Sequence, residues 1–522
     1  MLQSTNNRII HFFEKIISFL ERERLNFVAI FLWVLFLGAI RMWTEAKIFG
    51  YPYRKLDYYF IFFHLHIISF YICVFLGGIF ILKFLTRERI RKIANLTSWG
   101  FLFVTLPPII DHFVFHYKTY TYIPKEKFLY FILFSYHKIF PEIAGYGLFI
   151  EIILILIFTT LYMYIKTHSL TKSIINFVSF NFFIAFISTP TLNPLLRKWE
   201  MGDLCQPVFF FRYIILSLLL FALILLISKK GLLSSFFVSS GPLRMCHFLL
   251  MGAIGIFIAG HIKLQHEFTS YFNAGNIGVM GIALFTILFL WEYASMINNV
   301  YDVEIDKVTK KRRVLVQGFL NATQLREISV ILAISAVGLA ITLGWIQVIL
   351  TIFFIFLATI YSVPPVRLRN SIFSTTIIGL GSTLAFLIGY FTPSYTILGD
   401  EIIRSYPPLT NFAIIIGWII FISLSVGSMV KDIDDYEGDK KSGIRNVFTV
   451  YGKEKGLCIS SVLLLPVFLS PLLLFHEYFD FFVFTPVSIL TAYIFYKIQK
   501  SWVTFPFYFI VLFYCLLRWF QT

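Results

Sequence analysis

The chain has 522 residues, of which 58% are hydrophobic and 14% charged, and it carries a formal net charge of +16. Soluble domains are only about half apolar, so the composition excludes a soluble globular protein. The positive charge does not indicate nucleic acid, because the basic residues fall in short stretches between long apolar runs, as expected of a membrane protein whose cytoplasmic loops are rich in Lys and Arg.

Runs of about 20 apolar residues cross a bilayer as helices, and only structures that satisfy their own backbone hydrogen bonds survive in hydrocarbon. The expected fold is therefore an all-α polytopic membrane protein of about fifteen transmembrane helices. About six precede Ser240, near 26–40, 58–85, 96–116, 141–165, 174–189 and 208–228. The first run follows Arg22 and Arg24, is closed by Arg41 and lacks a small-residue cleavage site, so it reads as a retained anchor. His64 and His66 fall early in the second span, and Asp111, His112 and His116 late in the third. His112 and His116 lie one turn apart, a plausible metal-ligand spacing, although interfacial histidines bonded to neighbours and water explain the group as well. Pro107 and Pro108 predict a kink there. The five cysteines are scattered without metal or redox spacing and read as packing residues.

A boundary is expected at 231–242, a stretch containing Ser and Gly after Lys229 and Lys230. It divides an N-terminal module of about six helices, residues 1–235, from a C-terminal one of about nine, residues 236–522. The latter spans lie near 243–262, 276–297, 325–345, 347–361, 372–391, 411–430, 457–475, 482–498 and 503–520. The basic stretches 83–92, 229–230, 307–313 and 431–445 all fall on one side of the resulting path. The positive-inside rule makes that side cytoplasmic, with the N-terminus inside and the C-terminus outside.

Two acidic motifs stand at ends of these spans. Asn298, Asp302 and Asp306 recur every four residues, which aligns them on one helix face. Asp435 and Asp439 repeat the spacing, with Asp432 one turn earlier. Clustered acids repel one another unless a cation binds, and their hard oxygens suit Mg²⁺, with Mn²⁺ also accommodated. Facing clusters would clamp a diphosphate through bridging metals. Nearby Lys431, Lys440, Arg312, Arg313 and Arg445 could neutralise the remaining charge. Tyr361 and Arg367 are further candidates for contact with the diphosphate or its acceptor; an interfacial anchor pair explains them equally well.

From about Pro242 onward the chain resembles the UbiA superfamily of intramembrane prenyltransferases. Members have nine helices, an Asn-x-x-x-Asp-x-x-x-Asp motif after the second and an Asp-x-x-x-Asp motif after the sixth, matching Asn298, Asp302, Asp306, Asp435 and Asp439. The stretch from Lys431 to Arg445 is similar to that of homogentisate prenyltransferases and digeranylgeranylglyceryl phosphate synthases, and the stretch from Tyr361 to Arg367 resembles a further family element. Many members have Asp in place of Asn299 and a proline-containing loop in place of Arg313 to Gly318. The resemblance implies Mg²⁺-dependent transfer of a prenyl group from a prenyl diphosphate to an aromatic or lipid acceptor within the membrane; the chain itself reads as a multi-pass protein of the plasma membrane. It implies metal ligation by Asn298, Asp302, Asp306, Asp435 and Asp439. A transporter or channel is the alternative from a different class, since intramembrane acids mark ion pathways; here the acids sit at helix ends and no inverted repeat is evident. An inactive scaffold of the same fold is the third reading.

Overall fold

The computed structural model describes residues 2–49, 58–116, 125–140, 145–189, 205–263, 274–309, 311–398, 401–441 and 443–521. The chain is an all-α polytopic membrane protein. Thirteen helices among the described residues are long and apolar enough to cross a membrane, and two more apolar helices, Ser374–Tyr390 and Ser501–Cys515, are shorter.

In chain order the helices are α1 Leu2–Leu20, α2 Phe27–Phe49, α3 Tyr58–Thr86, α4 Ile90–Gly100, α5 Leu106–Ile110, α6 Phe128–Ile132, α7 Tyr146–Thr167, α8 Leu170–Ser188, α9 Cys205–Ser228, α10 Leu232–Ser240 and α11 Pro242–Lys263. They continue as α12 Ala274–Tyr301, α13 Val303–Thr309, α14 Ala322–Leu343, α15 Trp345–Ser362, α16 Ser374–Tyr390, α17 Asn411–Lys431, α18 Tyr436–Lys441, α19 Val447–Tyr451, α20 Lys453–Leu469, α21 Tyr478–Ile498 and α22 Phe505–Gln521. A two-stranded antiparallel hairpin, β1 Ser394–Leu398 with β2 Glu401–Ser405, joins α16 to α17.

Caps set several of these boundaries. Asn321 and Gln324 form a reciprocal capping box at the start of α14, and the Thr410 hydroxyl accepts from the Ala413 N–H at the start of α17. Each satisfies an amide that the first helical turn leaves without a partner.

One expectation is corrected in the N-terminal part. Arg41 does not close the first span, because α2 continues through it to Phe49. The guanidinium is fully buried and donates to the Val104 carbonyl at 2.9 Å, with Glu45 at 3.4 Å and Glu151 of α7 at 3.8 Å. A cation so surrounded need not reach water. The third span is not one uniform helix. After α4 the chain passes through a 3-10 turn, the short α5 with Pro107 and Pro108 in its first turn, and a π turn over Asp111–Phe115, as expected where two prolines remove amide donors.

Helix α9 is central to the assembly of the two halves. It packs along α3 on one side and α12 on the other. The close approach to α12 depends on Gly278 against Pro207 and Gly281 against Phe211. A second small-residue crossing joins α11 to α16, where a Cβ at Gly389 would meet the Gly252 carbonyl and one at Gly255 the Phe386 carbonyl. Such contacts replace the hydrophobic driving force that is missing between helices in lipid. Gly389→Val is expected to cost about 3 kcal/mol through overpacking against backbone that cannot yield. Gly417→Ala, whose new methyl would make only an ordinary contact with Thr383, serves as the control. Thermal unfolding in detergent checks this, and equal midpoints for the two variants would contradict it.

Candidate functional site

The first acidic motif is built where α12 runs into α13. Asp302 lies between them, yet its N–H still bonds the Asn298 carbonyl at 3.0 Å, and the Asp306 N–H bonds the Asp302 carbonyl at 2.9 Å. The helical path therefore carries through the junction and keeps Asn298, Asp302 and Asp306 on one face. Asp302 and Asp306 are buried, each 1% exposed. Buried carboxylates demand compensating charge, and arginines supply it. Arg367 donates to Asp302 Oδ1 at 2.8 Å and to the Tyr301 carbonyl at 3.3 Å. Arg369 pairs with the other Asp302 oxygen and donates to Asn298 Oδ1 at 3.2 Å. Arg313 pairs with Asp306. The turn after α15 aims the first two: the Arg367 N–H closes onto the Val363 carbonyl at 3.1 Å, with Arg367 itself in the left-handed region.

Beneath this face lies α10, inside the stretch expected to be a boundary. The Ser239 carbonyl accepts from Asn299 Nδ2 at 3.0 Å and from the Ser295 hydroxyl at 2.9 Å, and its own hydroxyl accepts from the Val314 N–H at 2.9 Å. Ser235 bonds Gln317. Asn299 is thus committed to holding α10, and the loop that carries Arg313 is tied to the same helix.

The second motif follows α17. The Asp439 N–H bonds the Asp435 carbonyl at 2.9 Å, so the two share a face, and Asp439 Oδ2 accepts from Asn446 Nδ2 at 2.7 Å. Asn446 also caps α19 through the Thr449 N–H at 2.9 Å, which fixes its amide. Asp434 is directed elsewhere and accepts from Ser501. Burial, with Asp439 and Asp435 beside it, pushes the Asp432 carboxyl up to about 7. Asp439 is also raised, first by burial and then by Asp435, against the opposing pull of Arg369 and Asn446.

Arg369 therefore links the motifs, since it contacts Asp302 and Asn298 while its charge acts on Asp439. Arg244, on the first turn of α11, acts electrostatically on Arg313, Arg369 and Tyr361. Burial lowers the pKa of both Arg313 and Arg369, and Arg244 lowers each further. Arg313 and Arg369, each repelled by Arg244, form with it a field suited to a multiply charged anion. Tyr361 lies within reach of the charges on Arg244, Asp432 and Asp439.

Arg244 and Arg369 were not among the residues singled out by sequence. Arg369 carried a usable signal, standing two residues after Arg367 in an element already marked; Arg244 carried only its position at a span end. Conversely, Arg312, Lys431, Lys440 and Arg445 are exposed, and no hydrogen bond or ion pair draws them to the buried acids among the described residues. Asp435 is exposed as well.

Among the described residues no three acidic, imidazole or thiol side chains converge as a ready-made metal cluster. The buried acids are instead neutralised by arginines. The donors that face the site are amide and carboxylate oxygens, a set that fits a hard divalent cation such as Mg²⁺. Among the described residues, His66, Asp111, His112 and His116 form no such cluster either. The His64 side chain lies outside the described residues, Asp111 Oδ1 accepts from the Gly147 N–H at 2.6 Å at the start of α7, and His116 is exposed. An acid there suits the positive end of a helix.

Residues 268–505 match the model of the UbiA prenyltransferase family, so the C-terminal part of the chain carries a domain of that family. Digeranylgeranylglyceryl phosphate synthase from Methanocaldococcus jannaschii is 26% identical over 191 residues, which make up 37% of this chain and 62% of that protein. The chloroplastic 2-acyl-4-prenylphloroglucinol 6-prenyltransferase of Humulus lupulus is 29% identical over 185 residues, 34% of this chain and 43% of that one. A solved UbiA homolog from Archaeoglobus fulgidus bound to DMAPP and Mg²⁺ is 18% identical, with 54% of this chain and 96% of that one covered and a TM-score of 0.38.

Proposed function

We propose that this chain, with its UbiA prenyltransferase domain over residues 268–505, transfers a prenyl group from a prenyl diphosphate to a lipid or aromatic acceptor within the membrane. The observation that carries the reading is Arg369, which contacts Asn298 and Asp302 of the first motif while its charge acts on Asp439 of the second, beside Arg244 and Arg313. In this reading Asn298, Asp302, Asp306, Asp435 and Asp439 hold Mg²⁺, which would supply charge compensation to the departing diphosphate. The arginines between the motifs bind its free oxygens and stabilise the charge that grows there as the prenyl carbon–oxygen bond breaks. Asp302 and Asp306 position these arginines before substrate arrives. Burial of the acidic face keeps bulk water from competing for the reacting carbon.

The direct test incubates purified protein with labelled prenyl diphosphates and a panel of aromatic and lipid acceptors, with products read by mass spectrometry. No prenylated product with any acceptor, from protein that binds the donor, would refute the reading. Activity is expected to need Mg²⁺ or Mn²⁺ and to vanish in EDTA, returning on addition of either metal; full turnover in metal-free buffer contradicts the ligand assignment.

The protein is an integral multi-pass membrane protein. We place both acidic motifs on the cytoplasmic side, in the plasma membrane, on the strength of the Lys and Arg bias. Glu304 and Glu437 are exposed beside the two motifs. Cysteines substituted there should react with an impermeant reagent only from the inside; labelling in intact cells would reverse the orientation. Residues 1–235 we read as an accessory module packed on the transferase through α9.

A further inference from the structure

A large cavity lies where the N-terminal helices meet the C-terminal ones, and none of the motif acids lines it. It has a volume of about 1680 Å³, more than the roughly 300–1,000 Å³ of most small-molecule pockets. Its walls come from α2, α3, α9, α12 and α14. Along α3 the lining extends from Leu65 to Lys83, roughly 27 Å at the helical rise, close to the ~30 Å hydrocarbon thickness of a bilayer. Most of the wall is apolar, with residues such as Ile72, Leu218, Phe289 and Leu332. One polar interruption is the Ser240 hydroxyl donating to Glu292 at 2.7 Å.

One rim is different. Lys83, Arg87, Arg89, Arg91 and Lys229 line it, against the single acid Glu23. These residues stand at the end of α3, the approach to α4, and the end of α9, with the starts of α2 and α14 beside them. The rim is tied together: Lys229 donates to the Phe319 carbonyl at 3.4 Å, Arg91 to the Leu25 carbonyl at 3.4 Å and the Phe27 N–H to Glu327 at 3.0 Å. Lys83 donates to the Glu88 carbonyl at 2.6 Å. The Glu88 carboxylate is met elsewhere, by Lys166 at 3.5 Å and Lys92 at 3.6 Å. Arg87, Arg89 and Lys229 form no ion pair among the described residues, and all three are exposed.

The geometry points to a second lipid site: this cavity holds a membrane phospholipid with an anionic headgroup, its chains between the halves and its phosphate at Arg87, Arg89 and Lys229. Charge complementarity selects the occupant. A neutral lipid would leave the basic rim unanswered, and a small anion would leave the apolar length unfilled. Juxtamembrane Lys and Arg attract anionic headgroups in this way. The site is separate from the prenyl diphosphate region and would join the accessory half to the transferase through a bound lipid.

The test uses the full chain in nanodiscs of equal dioleoyl phosphatidylglycerol and dioleoyl phosphatidylcholine, with retained lipid read by native mass spectrometry after release. Retention of phosphatidylglycerol over phosphatidylcholine is expected. Arg87→Gln with Arg89→Gln should reduce that preference about thirtyfold, and both positions are exposed, so folding is not at stake. Gly338 lines the cavity, and a Cβ there meets nothing within 4 Å. Gly338→Phe should therefore displace the chains and abolish retention of either lipid in protein that stays folded by circular dichroism. Equal retention of the two lipids by the unaltered protein would overturn the proposal. So would an undiminished preference in the arginine double variant, or full retention in folded Gly338→Phe. Displacement of phosphatidylglycerol by geranylgeranyl diphosphate would show that the site is not separate from the donor's.

Discussion

Asp302→Ala and Asp439→Ala are each expected to lower prenyl transfer by about a hundredfold or more, the scale of losing one preorganised charge stabiliser at a reacting group. The two substitutions should differ in what else they disturb. Asp302 is the acid that both Arg367 and Arg369 contact, so its loss removes a proposed metal ligand and releases two cations from their positions. Asp302→Asn retains the shape but not the charge and should be nearly as inactive. Asp439 is less buried and is held by Asn446, so Asp439→Ala should reduce activity with a smaller change in stability. Measured turnover with saturating donor, alongside thermal unfolding, separates the effects. Near-normal turnover in either alanine variant would remove that carboxylate from the active site.

Arg41→Ala is expected to destabilise the N-terminal half by about 3–5 kcal/mol, the cost of breaking a buried ion pair from one side. The arginine is 0% exposed, with Glu45 and Glu151 at 7% and 6%, and it joins α2 to α7 and to the Val104 carbonyl. Its removal strands two acids in an apolar interior. The replacement of all three by apolar residues, Arg41→Met with Glu45→Leu and Glu151→Leu, should recover most of the loss, because no uncompensated charge then remains. Unfolding midpoints of the single and triple variants give the comparison. An Arg41→Ala protein as stable as the original would mean that the cluster does not hold these helices together.

The two expected outcomes differ in how far the primary structure alone predicts them. The spans were legible because the hydrocarbon thickness sets a minimum apolar run, and local composition meets or misses that length. The acidic motifs were legible because spacing by four is a local property of a helix: Asn298, Asp302 and Asp306 align whatever surrounds them. Asp435 and Asp439 align for the same reason. Arg41 was misread because a cation in an apolar run ordinarily marks its end, and only the approach of Glu151 and the Val104 carbonyl from elsewhere in the chain makes its burial tolerable. The stretch containing Ser235 and Ser239 was legible only as a boundary by composition. Tertiary packing made it α10, whose Ser239 hydroxyl and carbonyl support the loop and helix of the first motif. Arg244 and Arg369 acquire their roles in the same way, since the charge a guanidinium faces depends on which helix ends the fold brings together. Run length and helical period act over a few turns and can be read from neighbouring residues. The compensation of buried charge acts through space, so the partners of these arginines were decided only when the helices packed.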